Sequence, residues 1–232
     1  APLLYDLTEL QREANQRFGY SAKETLNIMQ RLYENHKVLT YPRTDSRYLS
    51  KDIVPTIKDR LEACGTGPYR KLAMTAKKKD LSGKLAFVND AKVSDHHAII
   101  PTEQFVDLSH MTNEERKIYD LVVRRFLAVL YPPFEYEQTQ VTVKVGGETF
   151  LASGKIVKAQ GWRAAYEEEV YSAEDEEEEE AYESGKSLKG QTLPELEKGQ
   201  EIKGLVLSLT EGKTKPPAHF NEATLLSAME NP

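Results

Sequence analysis

The chain has 232 residues, a single cysteine and a formal charge of −6, with 31 Lys and Arg against 37 Asp and Glu. That length accommodates one large or two modest domains with a buried core. One thiol excludes an internal disulfide and a cysteine metal cluster. No apolar run approaches a membrane span and no signal-peptide pattern opens the chain, so an intracellular protein is expected. The charge is unevenly placed: residues 1–133 carry 21 basic against 17 acidic groups, while residues 134–232 carry 10 against 20. A mildly basic half is joined to an acidic one, which admits a polyanionic partner on the first half without demonstrating it.

Ser21, with Glu24 three residues on, makes a capping-box pattern. Leu26, Met29, Leu32 and Tyr33 then recur at helical spacing and stop short of Tyr41. A shorter helix is expected over 51–63, ended by Gly65, Gly67 and Pro68. Thr112 and Glu115 repeat the box ahead of a long amphipathic helix reaching about Leu130, with Ile118, Leu121, Val122, Phe126 and Val129 on one face. Pro132-Pro133 ends it and marks a boundary. The period then becomes two: Thr139, Val141, Val143 and Val145 alternate with Gln140, Thr142 and Lys144 before a Gly146-Gly147 turn. Residues 148–153 and 155–159 continue the strand pattern, and 202–209 offers another strand. Asn221 caps a last short helix that is cut off at Pro232. Helices first and strands second predict an α+β fold with segregated domains.

Eleven acidic groups fall between Glu167 and Glu183. Such a tract cannot bury apolar surface and repels itself, so a solvated loop between strands is expected. The sharper alternative is an electrostatic fence that keeps nucleic acid off one side of an opening.

The most distinctive stretch is Tyr41-Pro42-Arg43-Thr44-Asp45-Ser46-Arg47-Tyr48-Leu49. Pro42 forbids regular helix and biases Tyr41 toward extended backbone, so the stretch reads as an exposed loop leaving a helix. A phenol with a guanidinium two residues on is the minimum equipment for attacking a phosphodiester, because arginine can hold two phosphate oxygens in a bidentate fork. By spacing alone, an ordinary polar loop with a surface tyrosine is the stronger reading. Arg43 has an alternative as well, a surface ion pair with Asp45. Asp45 and Ser46 suit loop-shaping bonds to backbone better than chemistry. Arg47 suits a flanking phosphate and a solvated charge equally.

The literal residues closely resemble the nucleophile segment of the type IA DNA topoisomerases. Pro42 favours the topoisomerase III branch, since methionine is typical at that place in the topoisomerase I branch. Asp95-His96-His97-Ala98-Ile99-Ile100-Pro101-Thr102 resembles the family's second gate-domain motif. Leu10-Gln11-Arg12-Glu13-Ala14-Asn15 and Phe18-Gly19-Tyr20-Ser21 resemble the helices that precede the nucleophile. Thr214-Lys215-Pro216-Pro217-Ala218-His219-Phe220-Asn221-Glu222-Ala223 resembles the return from a β-rich arch. The likeness covers nearly the whole chain apart from the acidic tract. It implies a mainly helical gate domain over 11–133 that bears the nucleophile, preceded by a strand or hinge from the arch over 1–10. A β-rich arch over 134–218 with its acidic loop at 167–185 would follow, and then the start of a truncated helical domain over 219–232.

For the site, the resemblance implies Tyr41, Arg43 and His96 as catalytic residues, with Thr44, Asp45, Ser46, Arg47 and His97 against DNA. Tyr41 would take the 5′ side of a broken single strand, and Arg43 would offset the charge that develops. Adjacent histidines on extended chain point to opposite faces, so no shared metal is expected. Alignment with Ala98-Ile99-Ile100-Pro101 puts His96 at the active-site position, contacting phosphate or assisting proton movement. His36, His110 and His219 have no motif and read as structural. A relaxase-like enzyme fits poorly, because its metal motif needs a residue between the two histidines.

The family's reaction also needs an acidic magnesium-binding domain with an Asp-x-Asp-x-Glu run. No such run occurs in this chain, and Lys77-Lys78-Lys79 does not replace that domain's lysine. An excised central fragment is therefore expected, with Mg2+ held by a domain outside this chain, no ATP, and negligible cleavage alone. Its expected partners are single-stranded DNA, that acidic domain and a helicase, without a membrane, in the bacterial cytoplasm at the nucleoid. The alternative is a non-catalytic single-stranded nucleic-acid-binding module in which Tyr41 and Tyr48 stack on bases beside Arg43 and Arg47.

Overall fold

The protein is described by a computed structural model covering residues 1–166, 193–194, 196–209, 211–214 and 216–230. The chain divides into two compact units, one built on Ala1–Phe134 with residues 160–166 and 220–230, the other on residues 135–159 and the described part of 193–219. The acidic tract, and with it the expected loop over 167–185, lies outside the described residues. Among the described residues no helix is long and apolar enough to cross a membrane.

The first unit is helical. Asp6 caps α1 (Leu7–Phe18) by accepting from the Glu9 amide. The Ser21–Glu24 capping box opens α2 (Ala22–Glu34), as the spacing predicts. The helix expected over 51–63 is two pieces: a 3-10 segment Lys51–Thr56, then α3 (Ile57–Cys64). Pro55 explains the split, since it has no amide hydrogen to continue an α-helical ladder. A short α4 (Arg70–Ala76) follows, which periodicity did not reveal. The Thr112–Glu115 box opens α5 (Asn113–Ala128), the longest helix described and buried along most of its length.

The core gathers α1, α2 and α5 around Leu4, Tyr5, Leu10, Met29, Leu32, Ile99, Val122 and Phe126, all fully buried. Two buried polar knots tie these helices together. Arg125 on α5 donates to Glu13 on α1 at 2.5 Å, to the Tyr5 hydroxyl at 2.9 Å and to the Leu3 carbonyl at 3.1 Å. Glu115 accepts from Arg31 of α2 at 2.8 Å and from its own cap at 2.9 Å, and lies 3.2 Å from His36. That contact gives His36 the structural role expected of it.

Two boundaries differ from expectation. Residues 1–10 belong to the helical unit: Leu4 and Tyr5 are fully buried and Tyr5 forms a β-bridge with Ile99. The last helix, α6 (Glu222–Glu230), is capped by Asn221 as predicted, and within this chain it groups with the helical unit. It lies on α1, where Arg12 reaches Ser227 at 3.2 Å and Glu230 at 2.8 Å, and Ala223 is fully buried. Gly161, at φ 50°, marks where the chain comes back to this unit, because a Cβ there would stand 2.0 Å from the Pro133 carbonyl oxygen.

The second unit holds one antiparallel hairpin, β1 (Glu135–Val145) with β2 (Glu148–Ala159), closed by Gly146 and Gly147, both at positive φ. The two predicted segments over 148–159 are one continuous strand. Residues 202–209 form no strand, and Val206 and Leu209 stand more than 90% exposed. Side-chain pattern alone does not make a strand; a hydrogen-bonding neighbour is needed, and none of the described residues provides one.

The Glu115 knot gives a stability test. Burial alone would raise the Glu115 carboxyl, but hydrogen bonds from Arg31 and the Thr112 amide, with His36 nearby, hold it below its ordinary value. A lowered folded-state value stabilises above the unfolded carboxyl range and is lost as pH falls through the folded value. Glu115→Gln should therefore lower stability by about 2 kcal/mol at pH 7, through lost charge-assisted bonds. Denaturant unfolding should show that gap closing as pH falls below about 4.

Candidate active site

The site is organised by a buried ribbon, residues 98–101, whose amides and carbonyls bond to the backbone of three separate segments. The Ile99 amide donates to the Tyr5 carbonyl at 2.8 Å, and the Ala98 amide to the Tyr48 carbonyl at 2.9 Å. The Thr40 amide donates to the Ile100 carbonyl at 3.0 Å, and its hydroxyl accepts from the Ile100 amide at 3.0 Å. Leu39 and Pro101 form a further β-bridge. Arg60, nearly buried, donates to the Pro101 carbonyl at 2.8 Å and pairs with Glu103 at 2.9 Å. These bonds bring the chain leaving α2 beside the chain entering the ribbon.

Tyr41 and His96 consequently meet. Their ring centroids are 4.4 Å apart with planes at 42°. On another side the Tyr33 ring stands edge-on to Tyr41 at 5.5 Å and 80°. Tyr41 is half-buried, and its hydroxyl has no hydrogen-bond partner among the described residues. Arg43 is exposed and likewise makes no hydrogen bond or ion pair there, so the alternative pairing with Asp45 is not formed. Asp45 instead accepts from Ser94 at 3.2 Å.

The loop's other polar groups are engaged within the protein. Thr44 is buried; its hydroxyl donates to the His96 carbonyl at 2.9 Å and accepts from the Ser46 amide at 3.1 Å. Its carbonyl receives the Leu7 amide at 3.0 Å, tying the loop to the start of α1. Ser46, also buried, donates to the Lys92 carbonyl at 2.7 Å and accepts from the Tyr48 amide at 3.2 Å. Thr44 and Ser46 therefore shape the loop from inside, which differs from their expected place against DNA. Arg47 is half-buried, donating to the Leu4 carbonyl at 3.2 Å with Glu9 at 3.9 Å, and is neither a solvated charge nor a free one.

The two histidines have different surroundings, and His96 sits in a bend rather than on extended chain. His96 is exposed beside Tyr41, whereas His97 is half-buried with Nδ1 2.7 Å from the Ala98 carbonyl. That bond places the hydrogen on Nδ1 and leaves Nε2 as an acceptor. Two features escaped sequence reasoning. Tyr33 reads as one more apolar-face position of α2, and only the last turn of the helix reveals its contact with Tyr41. Lys92 lies 4.8 Å above the Tyr48 ring and 3.3 Å from its hydroxyl, a pairing across 44 positions with no local signal.

Burial, reinforced by Arg60 and His96, pushes the His97 imidazole below its ordinary value despite the Ala98 bond and Asp52. The folded state thus holds this proton less tightly than the unfolded chain. Stability should fall as pH drops below about 6.5, and His97→Gln should remove that loss. Thermal unfolding between pH 5 and pH 7.5 checks it, alongside an NMR titration that should find His97 neutral at pH 7.

A family model for DNA topoisomerase matches residues 1–232. The DNA topoisomerase 3 of Bacillus licheniformis is 58% identical over 232 residues, which are all of this chain and 30% of that protein. The DNA topoisomerase 3 of Bacillus subtilis is 57% identical over the same 232 residues, 100% of this chain and 30% of that protein. The chain therefore spans about 30% of the length of these curated relatives. In fold it resembles full-length topoisomerase I from Thermotoga maritima, with a TM-score of 0.67 at 22% identity over 99% of this chain and 34% of the other. With the family match running from its first residue to its last, the chain belongs to the DNA topoisomerase family, in its type IA branch.

Proposed function

We propose that this chain is the nucleophile-bearing gate and part of the arch of an ATP-independent type IA DNA topoisomerase of the topoisomerase III kind. It would break one DNA strand, let another strand through and reseal the break. What carries this reading is one juxtaposition: an unbonded Tyr41 hydroxyl, an unpaired Arg43 two residues on, and the His96 ring against Tyr41.

The chemistry balances within that set. The Tyr41 oxygen forms a bond to phosphorus, the bond from phosphorus to the 3′ oxygen breaks, and the phenolic proton ends on the departing 3′ hydroxyl. The 5′ phosphate stays on Tyr41 as an ester that conserves the bond energy, so resealing runs the step backwards without ATP. Arg43, with no internal partner to release, holds the non-bridging oxygens and offsets charge in the transition state. His96 contacts the phosphate or assists the proton on its way, and its backbone is set by Thr44. Tyr33 and His96 both pack against the Tyr41 ring, which limits the rotamers from which attack must start.

The expected Mg2+ does not fit the residues at hand. Asp45 is the loop's one carboxylate, and among the described residues no three His, Cys, Asp or Glu are grouped to hold an ion. We place magnesium in a part of the protein outside this chain and route no step through it. Single-stranded DNA, that acidic part and a helicase are the proposed partners, in the bacterial cytoplasm at the nucleoid.

In the full-length enzyme, Tyr41→Phe should abolish the covalent DNA adduct while leaving strand affinity nearly unchanged. Arg43→Gln should slow adduct formation about 100-fold or more. Denaturing gels of trapped, labelled single strands read both. Adduct formation by Tyr41→Phe would refute Tyr41 as the nucleophile, whereas an unaltered enzyme that binds strands but forms no adduct would favour the non-catalytic binding module.

A further inference from the structure

The positive charge of the helical half is concentrated in one place. Residues 70–84 hold six of the 21 basic groups of residues 1–133 but only one of their 17 acidic groups. Without that stretch the half is one charge negative, so its whole excess comes from α4 and the turn after it. Arg70, Lys71, Lys77, Lys78, Lys79 and Lys84 are all exposed. Lys77 is held by Glu62 at 3.2 Å, while the other five make no hydrogen bond or ion pair through their side chains among the described residues. Asp80, the single acid, is engaged by the Ser82 amide and hydroxyl at 2.9 and 2.8 Å.

The stretch also has relief. Lys78, Lys79 and Asp80 line an open groove of about 300 Å³ together with Leu130, Tyr131 and Pro132. The Tyr131 hydroxyl donates to the Leu72 carbonyl at 3.1 Å, which ties α4 to the chain just after α5. No hydrogen bond or ion pair among the described residues joins residues 70–84 to residues 40–47.

We propose that α4 and the turn through Lys84 form a second nucleic-acid surface, which grips the phosphate backbone of a DNA segment other than the strand held at Tyr41. This inference rests on the DNA-handling function proposed above. Unpaired, exposed cations on a rigid helix and turn suit phosphates, because binding displaces condensed counterions and needs no internal ion pair to be broken. Phosphate contacts carry no sequence information, so a grip made through them is expected to be independent of sequence.

The test uses the full-length protein. Binding is measured in a Tyr41→Phe background against a mixed-sequence single strand and a duplex, between 50 and 300 mM salt. A patch variant with Lys71, Lys78 and Lys79 changed to Gln is compared with a control in which Lys23, Arg116 and Lys144 are changed to Gln. The patch variant should reduce the slope of log affinity against log salt by about 2 on single strands or about 3 on duplex. A reduction on one substrate alone identifies the kind of segment gripped, and a reduction on both supports the surface equally. In the Tyr41 enzyme, the same patch variant should form adduct at saturating DNA within twofold of the parent. The proposal is overturned if patch and control slopes agree on both substrates. It is also overturned if adduct formation at saturation falls with the patch, since these cations would then serve the strand at Tyr41. A parent enzyme that forms no adduct would instead count against the catalytic reading, whatever the slopes.

Discussion

Everything at the site hangs on the hydrogen bonding of residues 98–101. This ribbon is buried, so its amides and carbonyls have to find partners in the protein or carry the penalty of lost hydration. Each partner it takes is a different piece of chain: Tyr5 before α1, Thr40 after α2, and Tyr48 at the far end of the loop. A four-residue segment with obligatory bonding thereby fixes three others. The contact between Tyr41 and His96, 55 positions apart in the chain, is the consequence. The Arg125 knot adds a second hold on Tyr5, and through Tyr5 on the ribbon.

The division of labour inside the loop follows from the same accounting. Thr44 and Ser46 are buried and their hydroxyls are committed to backbone. Arg47 is tied to the chain before α1 and Asp45 to Ser94. Among the described residues, what remains in the loop without a hydrogen-bond partner is the Tyr41 hydroxyl and the Arg43 guanidinium. A loop that satisfies its other polar side chains and leaves a phenol and a guanidinium unbonded suits the anionic ligand proposed for it, since no internal bond must break before one binds.

Much of this was legible in the sequence. The capping boxes at Ser21 and Thr112 marked helix starts because they are local chemistry, complete within four residues. The valine alternation and the Gly146-Gly147 turn marked the hairpin for the same reason. The motif around Tyr41 was readable from literal residues, although spacing alone would have left it a polar loop. Long-range features were not legible. Thr44 looked like a ligand contact, and only the fold shows its hydroxyl committed to a carbonyl 52 positions away. Tyr33 looked like core. Residues 202–209 have a strand's composition but no neighbour to pair with among the described residues, and the packing of α6 on α1 has no local signal.

In the proposed function the ribbon singles out Tyr41 among the tyrosines nearby, Tyr33 and Tyr48 included. The direct measurement is to trap the full-length enzyme on a single-stranded oligonucleotide, digest the DNA and the protein, and sequence the nucleotide-bearing peptide by mass spectrometry. The account predicts a 5′-phosphonucleotide on Tyr41, with Tyr33 and Tyr48 unmodified. A modified Tyr33 or Tyr48, or a nucleotide joined through its 3′ phosphate, would contradict it.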